Sequence, residues 1–311
     1  MFKHTTLMLR SLITGILLLV LSGCQQVSQK EANGLQIKTS FYPVYALTKE
    51  VSGNLNQIDL VVKNVSIHAY EPSPNQVAKL YDGEIFIYHS RILEAWAADL
   101  APQLEKKGIT VLEGAAKLPL ERVQGLEKVP LKKGMSADSL NDPHTWTDPI
   151  LASQEADSIA KLLAQKDPVH KDYYFKNAKR FKQKAQKLVD HYQTKFASLS
   201  HHTFVTQHTA FSYLAKRFGL KQLGIAGVSP EQEPSPQQLA EMNRFIKRYG
   251  VKTILMEENT SDKLAKTLAK SSGIGIQRLS PLEIVPNNQK SYLDNLEMNL
   301  ETLYCVLEKE K

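Results

Sequence analysis

The sequence predicts an α/β protein of two lobes, each a mainly four-stranded parallel sheet flanked by helices, joined by one long rigid helix. Two observations carry this prediction. Short apolar runs of strand character alternate with helical patterns twice, before and after the middle of the chain, which is the signature of parallel sheets covered on both faces. Between the two sets lies an apolar stripe at helical spacing from Tyr174 to Leu199, longer than one small domain needs. At 311 residues the chain has room for two domains of ordinary size.

The first lobe is placed at residues 34–166, with strands over 35–41, 58–63, 84–89 and 109–113 and helices over 44–51, 75–80 and 92–107. Residues 115–141 lack periodicity and mix Pro, Gly and both charges, so a mobile surface loop is expected there. It ends on the stretch Asn141-Asp142-Pro143-His144-Thr145-Trp146-Thr147-Asp148-Pro149, which holds one histidine between two Asp-Pro pairs. Each proline fixes its own φ and keeps the residue before it extended, so His144 stands on a stiff loop. Asp148 is placed to cap a helix and Pro149 to open it, and that helix runs to about residue 165.

Asp167-Pro168 restarts a helix, the linking element at 167–199. Its apolar positions Tyr174, Ala178, Phe181, Ala185, Leu188, Tyr192, Phe196 and Leu199 step by three or four, and its other face is dense in lysine. Such a helix is about 45 Å long at the standard rise per residue. The second lobe, 200–311, repeats the alternation, with strands over 203–206, 222–224, 253–257 and 276–279 and helices over 209–218, 236–249, 262–272 and 292–308. Three prolines stiffen the loop from Pro230 to Pro236. The two lobes share no obvious sequence repeat.

Composition is that of a soluble globular body, 42% hydrophobic and 23% charged, apart from the N-terminus. Lys3 and Arg10 precede an apolar run from Leu12 to Leu21. A basic flank, a short apolar core and small residues make a secretory signal, too short to span a bilayer of about 30 Å. Leu21-Ser22-Gly23-Cys24 resembles the bacterial lipobox, which implies that residues 1–23 are a lipoprotein signal peptide, that Cys24 is lipidated, and that 24–33 form a lipidated tether. Losing the signal lowers the formal charge of +7 by two. Lysines interleave with acids along the helices, so their faces read as solvated and no nucleic-acid partner is expected. The other cysteine is Cys305, which leaves no intrachain disulfide once Cys24 is modified.

Of nine histidines, three fall in structured loops at the ends of expected strands: His68 after the second, His144 between the Asp-Pro pairs, and His208 after the first strand of the second lobe. Glu283, after the last strand, is the comparable acid. Gaps of 76, 64 and 75 residues put each in a separate βα turn, two per lobe. Parallel sheets bind ligands at the C-terminal ends of their strands, so a cleft between lobes would gather all four. Three imidazoles and a carboxylate suit zinc in a tetrahedron, whereas manganese or calcium favours more oxygen. A loop histidine taken alone more often caps or hydrogen-bonds. His170, His191, His201 and His202 read as surface, and His89 as a local hydrogen-bonding residue.

The segments His68-Ala69-Tyr70-Glu71-Pro72-Ser73-Pro74, Asp142 to Pro149, His208-Thr209-Ala210-Phe211-Ser212-Tyr213, Ser229 to Pro236, Phe41-Tyr42-Pro43 and Glu257-Glu258-Asn259-Thr260-Ser261 together resemble the zinc and manganese solute-binding lipoproteins of bacterial ABC transporters. The resemblance covers essentially the whole chain after the signal, in order. It implies two lobes joined by a rigid helix with a metal buried between them, and the ligand set His68, His144, His208 and Glu283 for Zn(II). Manganese binders of this kind carry a carboxylate where this chain has His208. Glu71 and Glu257 are candidates for orienting the ligand rings. Many zinc members have a histidine-rich loop before the second ligand; here residues 115–141 hold no histidine, which resembles the Gram-positive laminin-binding lipoproteins.

The function this implies is extracytoplasmic capture of zinc by a monomer, lipid-anchored at the outer face of the cell membrane, and its delivery to an ABC permease. The alternative is a surface adhesin that binds host laminin. A zinc hydrolase is the third class. It needs an open coordination position and a base, and neither four protein ligands nor the absence of a His-Glu-x-x-His pattern favours it, so no enzyme is expected.

Overall fold

The computed structural model describes residues 34–123, 140–225, 236–257 and 263–310. The signal peptide, Cys24 and the tether, residues 124–139 of the long loop, the loop at 230–235 and residues 258–262 lie outside the described residues. Leu35–Lys311 forms one compact unit built on two sheets.

The first sheet comprises β1 (Gln36–Thr39), β2 (Gln57–Leu60), β3 (Ile85–Tyr88) and β4 (Thr110–Glu113), all parallel in the order β2-β1-β3-β4. Its central strand β3 is buried at every position of Ile-Phe-Ile-Tyr, as a strand covered on both faces must be. The crossovers are α1 (Tyr42–Ser52), α2 (Pro74–Leu80) and α3 (Ala95–Lys106). Gly53 ends α1 at φ 58, where an added Cβ would strike the Tyr173 hydroxyl, so glycine is required there on two counts. Ser73 opens α2 with a capping box completed by Gln76, which settles the direction in which the chain leaves the His68 loop.

Two helices then form the core of the unit. Asp148 caps α4 (Pro149–Lys166) by accepting from the amides of Ile150 and Leu151 at 2.7 and 3.4 Å. Pro168 forces Asp167 out of helical geometry, to φ −133 and ψ 76, so α4 stops. After a 3₁₀ turn at Pro168–His170, α5 runs over Lys171–Ala197, about 40 Å. The whole expected stripe from Tyr174 to Leu199 is buried.

The second sheet repeats the first in strand order. It comprises β5 (Thr203–Thr206), β6 (Lys221–Gly224), β7 (Thr253–Met256) and β8 (Gly275–Arg278), parallel in the order β6-β5-β7-β8. Its crossovers are α6 (Ser212–Arg217), α7 (Pro236–Tyr249) and α8 (Lys263–Ser272). The last helix, α9 (Tyr292–Lys309), follows this sheet in sequence but packs on α1 and α5. Its Leu293, Leu296, Leu300 and Leu303 share one apolar cluster with Phe41, Leu47, Phe86 and Phe181. Among the described residues, no helix is long and apolar enough to cross a membrane.

One expectation is corrected. The stretch from 115 does not begin as a mobile surface loop: Ala115 and Leu118 are buried with Leu151 and Tyr213. Its two ends are laced together by Val123 N–H to Leu140 C=O (2.9 Å), Asp142 N–H to Glu121 C=O (2.8 Å) and a bridge between Arg122 and Asn141. Irregular backbone satisfied by such local bonds has no period for a sequence pattern to show.

Candidate metal centre

Four donor groups arrive from four loops at the C-terminal side of the strands. His68 lies beyond β2, His144 beyond β4, His208 two residues after β5 and Glu283 five residues after β8. Their ligand atoms all lie within 4.8 Å of one another. Glu283 Oε1 is 3.2 Å from His68 Nε2, 3.5 Å from His144 Nε2 and 3.4 Å from His208 Nε2. His144 Nε2 is 3.4 Å from His68 Nε2 and 3.3 Å from His208 Nε2. A tetrahedral ion with bonds of about 2.0–2.2 Å needs donor–donor edges of about 3.3–3.6 Å. Five of the six separations, 3.2–3.5 Å, lie close to that figure, and the sixth, between His68 and His208, is within 4.8 Å, so the donor set is about the size of a zinc coordination sphere. His144 and His208 are inaccessible to solvent, and Glu283 is buried.

Two rings are held by acids. His144 Nδ1 faces Asp142 Oδ1 at 2.7 Å, and the same oxygen accepts the His144 backbone N–H at 2.9 Å. His208 Nδ1 faces Glu257 Oε1 in a short contact. A proton kept on Nδ1 by a carboxylate leaves Nε2 as the free donor, aimed at the centre. The His208 carbonyl is fixed as well, accepting from Thr206 Oγ1 at 2.7 Å and from Gln222 Nε2 at 3.0 Å.

Charge follows the geometry. Burial alone would raise the Glu283 carboxyl, but hydrogen bonds from His144, His208 and His68 outweigh it and hold it well below the usual carboxylate range. Burial would depress His208, yet the charge and hydrogen bond of Glu257, reinforced by Glu283, lift it to about 10. His144 is raised too, with Asp142 overcoming burial. A carboxylate held ionised beside two imidazoles whose proton affinity is raised means that a cation binds there by displacing protons.

Of the two acids proposed to orient rings, Glu257 contacts His208, whereas Glu71 is exposed and stands outside the donor set. The prolines around Glu71 direct the chain into α2, away from the centre. Asp142 is the orienting acid that sequence reasoning missed. Its signal was present: an Asp two residues before a histidine, across a proline, sets up an Asx turn. Gln222 gave no such signal. His89 is a hydrogen-bonding residue as expected, but its ring is buried and its partners are distant, not local: Nδ1 faces Glu155 at 3.0 Å and Nε2 faces the Pro143 carbonyl at 2.9 Å. Both partners accept, so the ring carries both protons and braces the loop that bears His144.

The family model described as zinc-uptake complex component A, periplasmic, matches residues 37–305. The chain belongs to this family. All four donors lie inside the matched stretch. Within the zinc-uptake component A family, the chain is 35% identical over 301 residues to the high-affinity zinc uptake system protein ZnuA of Bacillus subtilis, covering 92% of this chain and 93% of that protein. It is 34% identical to the zinc-binding lipoprotein AdcA of Streptococcus pneumoniae, of which it spans 62%. Among solved structures, the laminin-binding protein Lmb of Streptococcus agalactiae, described as bifunctional with adhesin and metal-transporting activity, is 53% identical with a TM-score of 0.81, over 88% of this chain and all of that one. A Zn(II)-bound mutant variant of AdcAII from S. pneumoniae is 52% identical with a TM-score of 0.83, over 88% of this chain and 99% of that one.

Proposed function

We propose that this chain captures Zn(II) outside the cytoplasm, between its two sheets, and delivers it to an ABC permease. The convergence of His68 Nε2, His144 Nε2, His208 Nε2 and Glu283 Oε1, five of whose six separations are 3.2–3.5 Å, carries this reading. Zinc is the cargo. The three imidazoles suit a borderline cation, and the carboxylate cancels one of its charges. Four protein donors complete the sphere, as in closed, non-catalytic sites. The lobes are assigned to 34–166 and 200–311, with 167–199 as the linking helix. Lipidated Cys24 and the tether at 24–33 hold a monomer beside the permease, at the outer face of the membrane. Metal analysis of the purified protein after exposure to equimolar zinc and manganese tests the reading. One zinc per chain is expected, and recovery of none would sink it.

The likeness to Lmb favours a second role, attachment to host laminin. A binding assay at physiological salt, with zinc-loaded and metal-free protein side by side, decides it.

A further inference from the structure

Two cavities flank the site: one is lined by the donor Glu283, the other reaches only Asp142, and their charges differ. The larger, about 400 Å³, lies between residues 64–66, the turn at 280–288 and one side of α9. Glu257 and Glu283 line it, and no lysine, arginine or histidine does so among the described residues. The smaller, about 320 Å³, reaches Asp142 and is lined by Arg122, Lys216 and Lys221 against Glu121 and Asp142. A dication is drawn toward the first and repelled by the second.

Accessibility points the same way. His144 and His208 are sealed. What exposure remains in the donor set is on His68 and Glu283, whose side chains are 6% and 5% exposed. Glu283 itself lines the larger cavity, as does Ser66, two residues before His68. The same wall holds backbone strain. Among the described residues, two that are not glycine take left-handed φ, Asn64 at 56 and Leu282 at 58, and both line this cavity. Asparagine tolerates that conformation, whereas a leucine is held there at a steric cost.

We propose that the larger cavity is the path by which zinc reaches and leaves the donor set, with the turn at Leu282–Glu283 as its inner door. The inference rests on the zinc-binding reading above. Asp142 and Glu257 hold His144 and His208 in place. Relaxing Leu282 from its left-handed conformation withdraws the Glu283 carboxylate and opens the imidazoles to the cavity. The door therefore moves one ligand and leaves those two histidines where they are.

Met298, exposed on α9, and Val285 line this cavity without touching a donor. Zinc association and dissociation are followed by stopped-flow competition with a chromogenic chelator, after the affinity of the parent protein has been measured. Met298→Trp and Val285→Trp are expected to slow both rates by the same factor, severalfold or more, with affinity unchanged, because an obstruction raises only the barrier. Met298→Lys should slow association at low salt and recover as salt is added. Lys221→Trp, in the smaller cavity, should change neither rate. Unchanged rates in both Trp variants of the larger cavity, faster dissociation with weaker affinity, or slowing by Lys221→Trp overturns the path. A parent protein that binds no zinc overturns the underlying reading as well, and that is known before any variant is compared.

Discussion

The indole N–H of Trp146 donates to the carbonyl of Pro281 at 2.7 Å. This one bond joins the loop bearing His144, two residues upstream, to the turn bearing Glu283, two residues downstream. The same loop is held to the second lobe's segments by Tyr213 Oη to the Asp142 carbonyl (2.7 Å) and Thr147 Oγ1 to the Ala210 carbonyl (3.1 Å), and Tyr292 Oη donates to the Trp146 carbonyl at 2.6 Å. Trp146→Phe keeps most of the packing but strands a buried acceptor. It should cost about 1–3 kcal/mol of stability and weaken zinc binding through Glu283. Thermal melts with and without zinc separate the two effects, and an unchanged zinc-dependent shift would contradict the coupling.

Removing a ligand and removing its orienting acid should differ in degree. His144→Ala should lower zinc affinity severely with little loss of fold. Asp142→Asn and Glu257→Gln keep the shape but give up the charge that fixes the Nδ1 proton, and should each cost about 10–100-fold in affinity. Competition titration against a calibrated chelator measures all three; parent-like affinity in His144→Ala would reduce the double Asp-Pro loop to a helix start.

Proton linkage has a definite sign. Because His208 is raised to about 10 in the metal-free protein, its protonation stabilises that state fully below the unfolded value of about 6.5. The contribution is lost as pH rises through the folded value. Zinc needs the neutral ring, so binding releases at least one proton across the neutral range, and affinity climbs with pH up to about 10. The rise in melting temperature on adding zinc should be larger at about pH 8 than at about pH 6. Calorimetry in buffers of different ionisation enthalpy counts the protons, and a count of zero contradicts the assignment.

His208 is also where metal preference should be set. His208→Glu replaces a nitrogen donor by oxygen, and the ratio of zinc to manganese affinity should fall. Paired titrations with the two metals give that ratio directly. A ratio equal to the parent's would place selectivity elsewhere.

Breaking the buried His89–Glu155 pair tests stability apart from the metal. His89→Leu strips the buried Glu155 carboxyl of its ring partner and takes one of two hydrogen bonds from the Pro143 carbonyl, which keeps the Thr145 N–H. A loss of about 3–5 kcal/mol is expected, read by denaturant unfolding without zinc.

Much of this molecule was legible in its sequence because its signals are local. Pro149 and Asp148 announce α4, the Tyr174–Leu199 stripe announces α5, and the apolar run Ile85–Tyr88 announces a central strand. His68, His144 and His208 stood out because each follows a strand. What escaped depended on distant parts of the chain. Gln222 supports His208 from the neighbouring strand, Trp146 reaches Pro281 across 135 residues, and α9 turns back to α1; no periodicity encodes such pairings. Glu71 shows the converse. A suggestive neighbour in sequence points outward once Pro72 and Pro74 direct the chain.

The return of α9 bears on how the chain can fold. Leu293, Leu296, Leu300 and Leu303 complete an apolar cluster that includes Phe41, Leu47 and Phe86 from the first sheet and its first crossover helix. Those partners lie at opposite ends of the described chain, so this cluster cannot close until the last helix has been made. The first lobe therefore cannot finish folding on its own as synthesis proceeds, and loop closure over some 250 residues sets a slow, late step. A chain with this wiring stays incompletely packed until its last helix has been made.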